Sequence, residues 1–584
     1  MKKTVYKIYG FVNALKYPKI LGASLKAIFN ENVFENEKHI RDACDFLLYM
    51  QNSDGGYSRK FSFISGRDSS YIETTGYIIP SLIEAGKALE EKKYINSALK
   101  AAQWLLSIQN RDGSFSEIDT HKPYAFDTGQ CLIGLNYLYE YTQNENYLYA
   151  AKRAAYWLKE YQEEDGSWQK VAYNVQKHSY YTRVASAMYK YGILSDDAFI
   201  KEAALKNIEW VLSLQESNGY FQKSSFLEDM PAYLHTLIYV LEGLLDIYEF
   251  TQDQKILDAI VKNSENFKII NLERDLILCS QYNKDFECVN SEKCMTGIAQ
   301  WAGVALRIYA LTKDESYKNA AIKSLFYLKA KQLSSSVMNG GFSASMPFWG
   351  DYGSFDFVNW TNKFFIDSML LYKELHISKE LEQETFVGGA FRLTSSIVTD
   401  QLSYMDKKYL QKVREILPKN KKIKVLDLGC GKGVIIALLK QEFHNIEFFG
   451  IDPLFEGDNI KKGSAYKIDF EDDFFDIVMS FEVLQHTYLE NALREIYRVS
   501  KSNAKILIGE RNPYSLLGLL KPLYELSNRW MYPYDSPFKE RWYGKTKWYY
   551  YFGRSGFDIV HIDNIEGSGK KFVNRYFFIE GNKR

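Results

Sequence analysis

A turn that keeps returning constrains this chain more than any other feature. Gln51, Gln109, Gln162 and Gln215 stand 58, 53 and 53 residues apart, and each is followed by Asp-Gly or Asn-Gly and then an aromatic: Tyr57, Phe115, Trp168 or Phe221. Each glutamine also follows an alanine- and aromatic-rich stretch such as "AAKRAAYWLKEY", with apolar positions at helical spacing. Glycine adopts the left-handed conformation that ends a helix, so the turn predicts a helix stop with the aromatic folded back over it. A second register lies between the turns: Thr75, Thr128, Thr182, Thr236, Thr296 and Thr361. Each opens a mostly apolar stretch such as "GIAQWAGVALRIYAL", which reads as a buried helix. The repeating unit is therefore a helical hairpin with one outer and one inner helix. A unit of about 53 residues exceeds the roughly 34 to 47 of common open helical arrays, and six copies predict closure into a ring. The fifth copy, around "NSENFKII", and the sixth, "FYLKAKQLSSSVMNGGF", match the turn poorly.

The repeat stops after "LLYKEL", near residue 376, while the chain runs to 584 residues, long enough for a second core. Lysine plus arginine equals aspartate plus glutamate at 73 each, so there is no general electrostatic attraction for nucleic acid and no nucleic-acid partner is expected. Six cysteines, Cys44, Cys131, Cys279, Cys288, Cys294 and Cys430, are scattered without a secretory signal, which favours reduced thiols in a cytoplasm over a disulfide framework. Lysines at positions 2, 3, 7, 16, 19 and 26 break any apolar run of signal length, and no stretch approaches the roughly 20 apolar residues of a transmembrane segment. Two readings of this N-terminus stand: a basic amphipathic helix on an anionic membrane, making a cytoplasmic protein membrane-peripheral, or a capping helix packed on the first domain.

Parallel inner helices gather their N-termini, with unpaired N–H groups and positive dipole ends, around one cavity. Anionic or hydroxyl-rich ligands suit such a place. Near the threonines stand Glu73, Asp127, Gln130, Tyr181, Arg183, His235, Gln300, Asn359 and Lys363, with His178 in an entering loop. Glu73 and Asp127 have the chemistry of a glycosidase carboxyl pair, whose separation decides the mechanism. Alternatively, His178 or Tyr181 with Arg183 can serve proton abstraction beside a uronate. The plainer reading makes the threonines and aspartates helix caps, worth about 1 kcal/mol each.

The turn pattern Q-x3-G-x-[FYW] resembles the repeats of the terpene cyclase and prenyltransferase superfamily, and six hairpins resemble the (α/α)6 toroids of many carbohydrate-active enzymes. Likeness to squalene-type cyclases would imply an acidic D-x-D-D cluster, and the first 375 residues contain none. Likeness to zinc-bearing toroids would imply a ligand set whose nearest analogue is Cys279, Cys288 and Cys294 with His235. The spacing C-x8-C-x5-C lacks the tight cysteine pair usual for zinc, so no metal is expected.

Past a polar connection, "KIKVLDLGC" reads as a strand running into glycines and "VIIALLKQEF" as the following helix, the start of a doubly wound α/β fold. Gly429 and Gly431 allow close backbone approach. Asp452 ends the next strand, placed to accept hydrogen bonds from ribose hydroxyls, and "AYKIDF" and "FDIVMSFEVLQH" supply two more strands. These motifs resemble class I S-adenosylmethionine-dependent methyltransferases. The resemblance implies Asp427, Gly429, Cys430 and Gly431 around the amino-acid part of the cofactor, Asp452 and Pro453 at the ribose, Asp469 and Phe470 near adenine, and Phe481 and Glu482 past the fourth strand. His486 is placed either as a base or as a structural residue at the start of the next helix, and Glu510 with Arg511 at the border of the acceptor pocket. The run from Tyr514 to Phe552 reads as an aromatic and basic lid.

The expected architecture is thus an all-α (α/α)6 toroid over residues 1–375, a linker over 376–404, and a Rossmann-like methyltransferase domain over 405–584. The expected function is methylation of a sugar or glycan intermediate of surface polysaccharide biosynthesis, free or lipid-linked, which the toroid binds or processes. Two alternatives remain: the toroid as the main enzyme, a hydrolase, lyase or epimerase of uronate-containing glycan, or as a scaffold docking a partner.

Overall fold

The computed structural model describes the chain except residues 1, 30–35, 119, 229, 273–276, 336, 378–403, 454, 485, 486, 488, 512–544 and 567–574. The chain forms two compact units, Met1–Ile377 and Ser378–Arg584. Nearly all of the expected linker, His486, and most of the expected lid lie outside the described residues.

The first unit begins with α1 (Lys2–Ala14) and α2 (Pro18–Phe29). Six outer helices follow, α3 (Asn36–Met50), α5 (Lys92–Ile108), α7 (Glu145–Glu160), α9 (Ala198–Ser213), α11 (Gln254–Leu272) and α13 (Glu315–Lys331). They alternate with six inner ones, α4 (Ile72–Ala88), α6 (Ala125–Thr142), α8 (Thr182–Leu194), α10 (Leu234–Thr251), α12 (Met295–Thr312) and α14 (Asn359–Glu374). Each inner helix packs on the next, and α14 returns to α4 and to α3, so the ring is closed. Small residues set the spacing: a Cβ on Gly134 of α6 would come within 2.4 Å of the Gly76 carbonyl oxygen of α4.

The recurring glutamine proves to be a clamp. Gln51, Gln109, Gln162 and Gln215 each donate from Nε2 to two carbonyls, one on the turn glycine (Gly55, Gly113, Gly166, Gly219) and one on the next outer helix (Ser97, Ala150, Ala203, Ala259). The glycines do not stop the helices. The helices end just before or one residue short of the glutamine, and the glycines lie in a separate turn, at φ between 89° and 111°. In that turn the preceding Asp or Asn accepts from the backbone N–H two residues on, as in an Asx turn. The sixth copy, a poor match by sequence, makes the same clamp across a longer turn: Gln332 Nε2 donates to the carbonyls of Gly340 and His39, at 3.0 Å each. His39 belongs to α3, so this glutamine joins the two ends of the ring.

The threonines are not caps. The residues flanking the inner helices are Tyr71, Tyr124, Tyr181, Tyr233, Cys294 and Val358. The threonines lie within the first turn and tie it to neighbours: Thr75 and Thr128 accept from the backbone N–H of the turn aromatics Tyr57 and Phe115, and Thr296 meets Thr361 at 2.6 Å. The cysteines depart from expectation as well, because Cys279 and Cys288 are joined in a disulfide while Cys44, Cys131, Cys294 and Cys430 are free.

Among the described residues the second unit is built on a seven-stranded sheet. Its strands are β1 (Ile423–Leu428), β2 (Ile446–Asp452), β3 (Ile460–Lys462), β4 (Phe475–Phe481), β5 (Ser500–Arg511), β6 (Phe557–Glu566) and β7 (Arg575–Lys583), in the order β3-β2-β1-β4-β5-β7-β6. The sheet is parallel except for β7, which runs antiparallel to both neighbours. Alternate residues of β1 feed opposite faces. Val425 packs with Tyr409 and Val413 of α15 (Tyr404–Ile416) and Ile436 and Leu439 of α16 (Val434–Glu442). Leu426 packs with Leu493 and Ile496 of α17 (Leu489–Val499) and Trp548 of α18 (Lys545–Arg554). The strand order reverses beside β1, and open α/β sheets bind ligands outside the carboxyl ends of their strands at such a switch.

Candidate functional site

In the toroid, the ends at which the inner helices begin surround a cavity of about 520 Å³, walled by Tyr71, Glu73, Tyr124, Tyr173, Tyr180, His235, Tyr239, Tyr352 and Trp360, among others. Asp127 lies behind this wall, fully buried. The Tyr173 hydroxyl donates to its Oδ1, and its Oδ2 has no hydrogen-bond partner. Burial, and then the charge of Glu73, hold the Asp127 carboxyl well above the ordinary carboxylate range. Burial also pushes Glu73 up to about 7, against the opposing pull of the Tyr71 hydroxyl and the Arg183 and Arg59 cations. Two carboxyls that each disfavour the other's charge titrate as a pair, and such a pair keeps a proton near neutrality.

A layer deeper, buried polar groups form a chain across the ring. His235 Nδ1 meets Gln300 Oε1 at 2.6 Å, Gln300 Nε2 donates to Glu242 Oε2 at 3.2 Å, and Arg183 donates to the same oxygen at 2.7 Å and to Gln130 Oε1 at 3.0 Å. Burial drives His235 down to about 3, which keeps its imidazole neutral. The Arg183 guanidinium lies 4.9 Å from the Tyr239 ring centroid, a cation–π distance. Burial raises Glu242 despite Arg183. The opposite opening of the ring, about 340 Å³, holds paired charges, including Lys190 with Glu140 and Lys363 with Asp367, both at 2.6 Å.

The structure thus brings Glu73 and His235 to one cavity with Asp127 behind it, and sets Arg183 beneath. His178 and Tyr181 instead support the wall. The His178 nitrogens face the carbonyls of Ser225 and Tyr173 at 3.1 Å each, and the Tyr181 hydroxyl accepts from the Tyr173 N–H at 3.2 Å. Tyr173 itself, Tyr239, Tyr352 and Trp360 went unread in the sequence. A tyrosine also stands just before four successive inner helices, at Tyr71, Tyr124, Tyr181 and Tyr233, and this repeat marks two further residues of the wall, Tyr71 and Tyr124.

In the second unit the glycine bend follows β1. Gly429, at φ 79°, has no room for a side chain, since a Cβ there would fall 2.2 Å from Val483 Cγ2; a Cβ on Gly431 would meet nothing within 4 Å. The bend is therefore packed on one side and open on the other. Gly431 N–H donates to Asp452 Oδ2 at 2.9 Å, and Phe455 N–H donates to Oδ1 at 3.3 Å, so the carboxylate at the end of β2 is held against the bend. Beside it is a cavity of about 560 Å³ lined by Gly429, Pro453, Gly463, Ser464, Tyr466, Asp469, Val483 and Thr487, among others. Asp427 is buried and Cys430 half-buried. Phe470 packs with Phe449, Phe474 and Phe475, and Phe481 stacks on Tyr409 at 4.8 Å, so these two rings belong to the packing of the sheet. Glu482 follows β4 at φ 58° and its N–H donates to the Gly509 carbonyl; Glu510 is buried in β5. Val483 and Thr487, which the sequence reading passed over, line the cavity.

A bend open on one face, with a carboxylate at the end of the next strand, fits a nucleoside cofactor such as S-adenosylmethionine. Backbone N–H groups and glycines would bound its amino-acid end, and each Asp452 oxygen has lone pairs for more than one donor. Among the described residues no group of three or more His, Cys, Asp or Glu side chains is arranged to hold a metal.

Two family models match the chain: a prenyltransferase alpha-alpha toroid domain over residues 22–133 and 130–342, and a methyltransferase domain over residues 402–562. An uncharacterized protein of Methanocaldococcus jannaschii is 30% identical over 123 residues, 20% of this chain and 54% of that protein. The chain thus spans about half the length of the curated relative it matches. Among solved structures, an unsaturated glucuronyl hydrolase specific for heparin is 14% identical, with a TM-score of 0.48 over 58% of this chain and 97% of that one. The cellobiose 2-epimerase of Bacillus thermoamylovorans is also 14% identical, with a TM-score of 0.48 over 57% and 98%. A SAM-dependent methyltransferase from Aquifex aeolicus is 16% identical, with a TM-score of 0.23 over 30% and 89%.

Proposed function

We propose, for a chain that belongs to the prenyltransferase alpha-alpha toroid family and carries an S-adenosylmethionine-dependent methyltransferase domain after it, that the methyl acceptor is a sugar or glycan intermediate of surface polysaccharide assembly, bound or processed by the toroid. The observation that carries this reading is the toroid cavity. Tyrosine and tryptophan rings offer flat faces to a sugar, and Glu73 among them offers a hydrogen-bonding carboxyl. The cofactor supplies a methyl group already activated by its sulfonium. The residues of the second unit then have two tasks: Asp452 and the glycine bend orient, and a base is required only where the acceptor must lose a proton. His486 is the proposed base, Glu510 a proposed catalytic residue at the acceptor pocket, and Asp427, Cys430, Asp469 and Glu482 the remaining proposed cofactor contacts.

Asp127 favours a second activity for the toroid. A carboxyl kept protonated by burial and then by the charge of Glu73, with one oxygen unpartnered, is suited to general acid chemistry on a glycosidic bond that reaches it past Tyr173. Incubating the full chain with labelled methyl donor and nucleotide sugars or lipid-linked glycans tests the main reading. Label should enter a glycan and be lost in Asp452→Ala. Transfer of label to protein or nucleic acid alone would overturn it. Glycan cleavage or epimerisation without methyl donor, abolished in Asp127→Asn, would establish the second activity.

A further inference from the structure

We propose that α1 is a docking face for an anionic lipid bilayer, set beside the mouth of the toroid cavity. One face of this helix is bound to the ring. Gly10 presses on Phe355, where a Cβ would come within 2.3 Å of the ring, Ala14 is buried, and Phe11 packs on Phe348, Trp349 and Phe355 at 5.2–5.8 Å. The other face is bare: Val5, Ile8, Tyr9, Val12 and Leu15 are 54–67% exposed. Their spacing places them on a single stripe, and exposed large apolar side chains gathered on one face mark an interaction surface.

Charge selects the occupant. Residues 1–29 carry six lysines and no acidic residue, in a chain whose net charge is zero. Lys16, Lys19 and Lys26 are exposed from the end of α1 along α2, where Leu25 is exposed as well. Lysines beside an apolar stripe keep their ammonium groups among lipid phosphates while the stripe enters the acyl boundary. A twofold contact between two copies through this face would gather the lysines of both at one interface, with no acidic residue among residues 1–29 to pair them. The placement bears on function through one loop. Phe348, Trp349 and Phe355 hold α1, while Tyr352 and Gly353 between them line the cavity. A docked α1 therefore sets this mouth near the membrane surface, where a lipid-linked glycan presents its sugar. Only that last consequence rests on the glycan reading.

The test is co-sedimentation of the full chain with vesicles of phosphatidylcholine, alone or mixed with phosphatidylserine. Binding should require the anionic lipid, weaken as salt rises, and fall at least about tenfold in Ile8→Asp/Val12→Asp and in Lys16→Gln/Lys19→Gln/Lys26→Gln. Equal binding to neutral vesicles, or none to anionic ones, would overturn the proposal. So would a dimer in sedimentation equilibrium that Ile8→Asp/Val12→Asp converts to monomer. Soluble-glycan binding by Ile8→Asp/Val12→Asp should equal that of the unaltered chain, which separates failure of docking from failure of the glycan reading.

Discussion

The two cavities are built in opposite ways. The toroid cavity is made of side chains from many hairpins: Glu73 from α4, Phe126 from α6, Tyr173 from a loop, His235 and Tyr239 from α10 and Trp360 from α14. The cofactor bend is made of backbone from one short stretch, Gly429 to Gly433, closed by one carboxylate 21 residues beyond Gly431. In the first, buried charges must be neutralised by distant partners; in the second, N–H groups and the absence of side chains carry the geometry.

This difference can be broken at its strongest point first. Arg183→Met should destabilise the toroid by about 3–5 kcal/mol, because it leaves Glu242 buried without its cation. Thermal unfolding of the full chain followed by tryptophan fluorescence measures it, and cofactor affinity should stay unchanged. If both fall together, the units are not independent in folding. Asp452→Ala should weaken S-adenosylmethionine binding about 10- to 100-fold, the range of a lost hydrogen bond to a charged group. Isothermal titration reads this, and the toroid transition should not move.

Gln332→Ala removes the bond to the Gly340 carbonyl and the two contacts with His39, its carbonyl and its Nδ1, that join the ends of the ring, and should cost about 1–3 kcal/mol. Gln162→Ala, which removes the two carbonyl bonds at one interior hairpin, is the control. A closed ring predicts a similar or larger loss at Gln332, and a negligible one there would show that the clamp does not hold the closure.

The smallest effect sharpens the electrostatic side of the comparison. Glu73 in the folded chain titrates near 7, above its ordinary 4.5, so between those values the folded state keeps a proton that the unfolded state releases. Its contribution to stability is complete below about pH 4.5 and is lost as pH rises through 7. Glu73→Gln should flatten this part of the stability profile; an unchanged slope between pH 5 and pH 7 would place the proton elsewhere.

The same contrast explains what was legible. The glycine bend, Asp452 and the strand that precedes each could be read because the cofactor fold writes its site into one contiguous run of residues. The hairpin period was equally plain, since a turn repeated at nearly constant spacing leaves a local mark. Gln332 was missed because its turn is eight residues long rather than four, although it makes the same two bonds. His178 and Tyr181 were read as facing the cavity because they precede an inner helix, whereas both are occupied in holding Tyr173. Tyr352 and Trp360, hydrogen-bonded to each other at 3.0 Å, reach the cavity from the far end of the ring and have no local signature.

The sequence by itself determined the hairpins, their number, and the order of strand, glycine bend and acid, because each follows from backbone preferences within a few residues. Tertiary structure alone decided that the ring closes through Gln332 on α3, that Asp127 lies behind Tyr173, and that Cys279 meets Cys288. These depend on which distant side chains share a buried volume, where removal from water makes partners obligatory and a pattern along the chain does not say who they are.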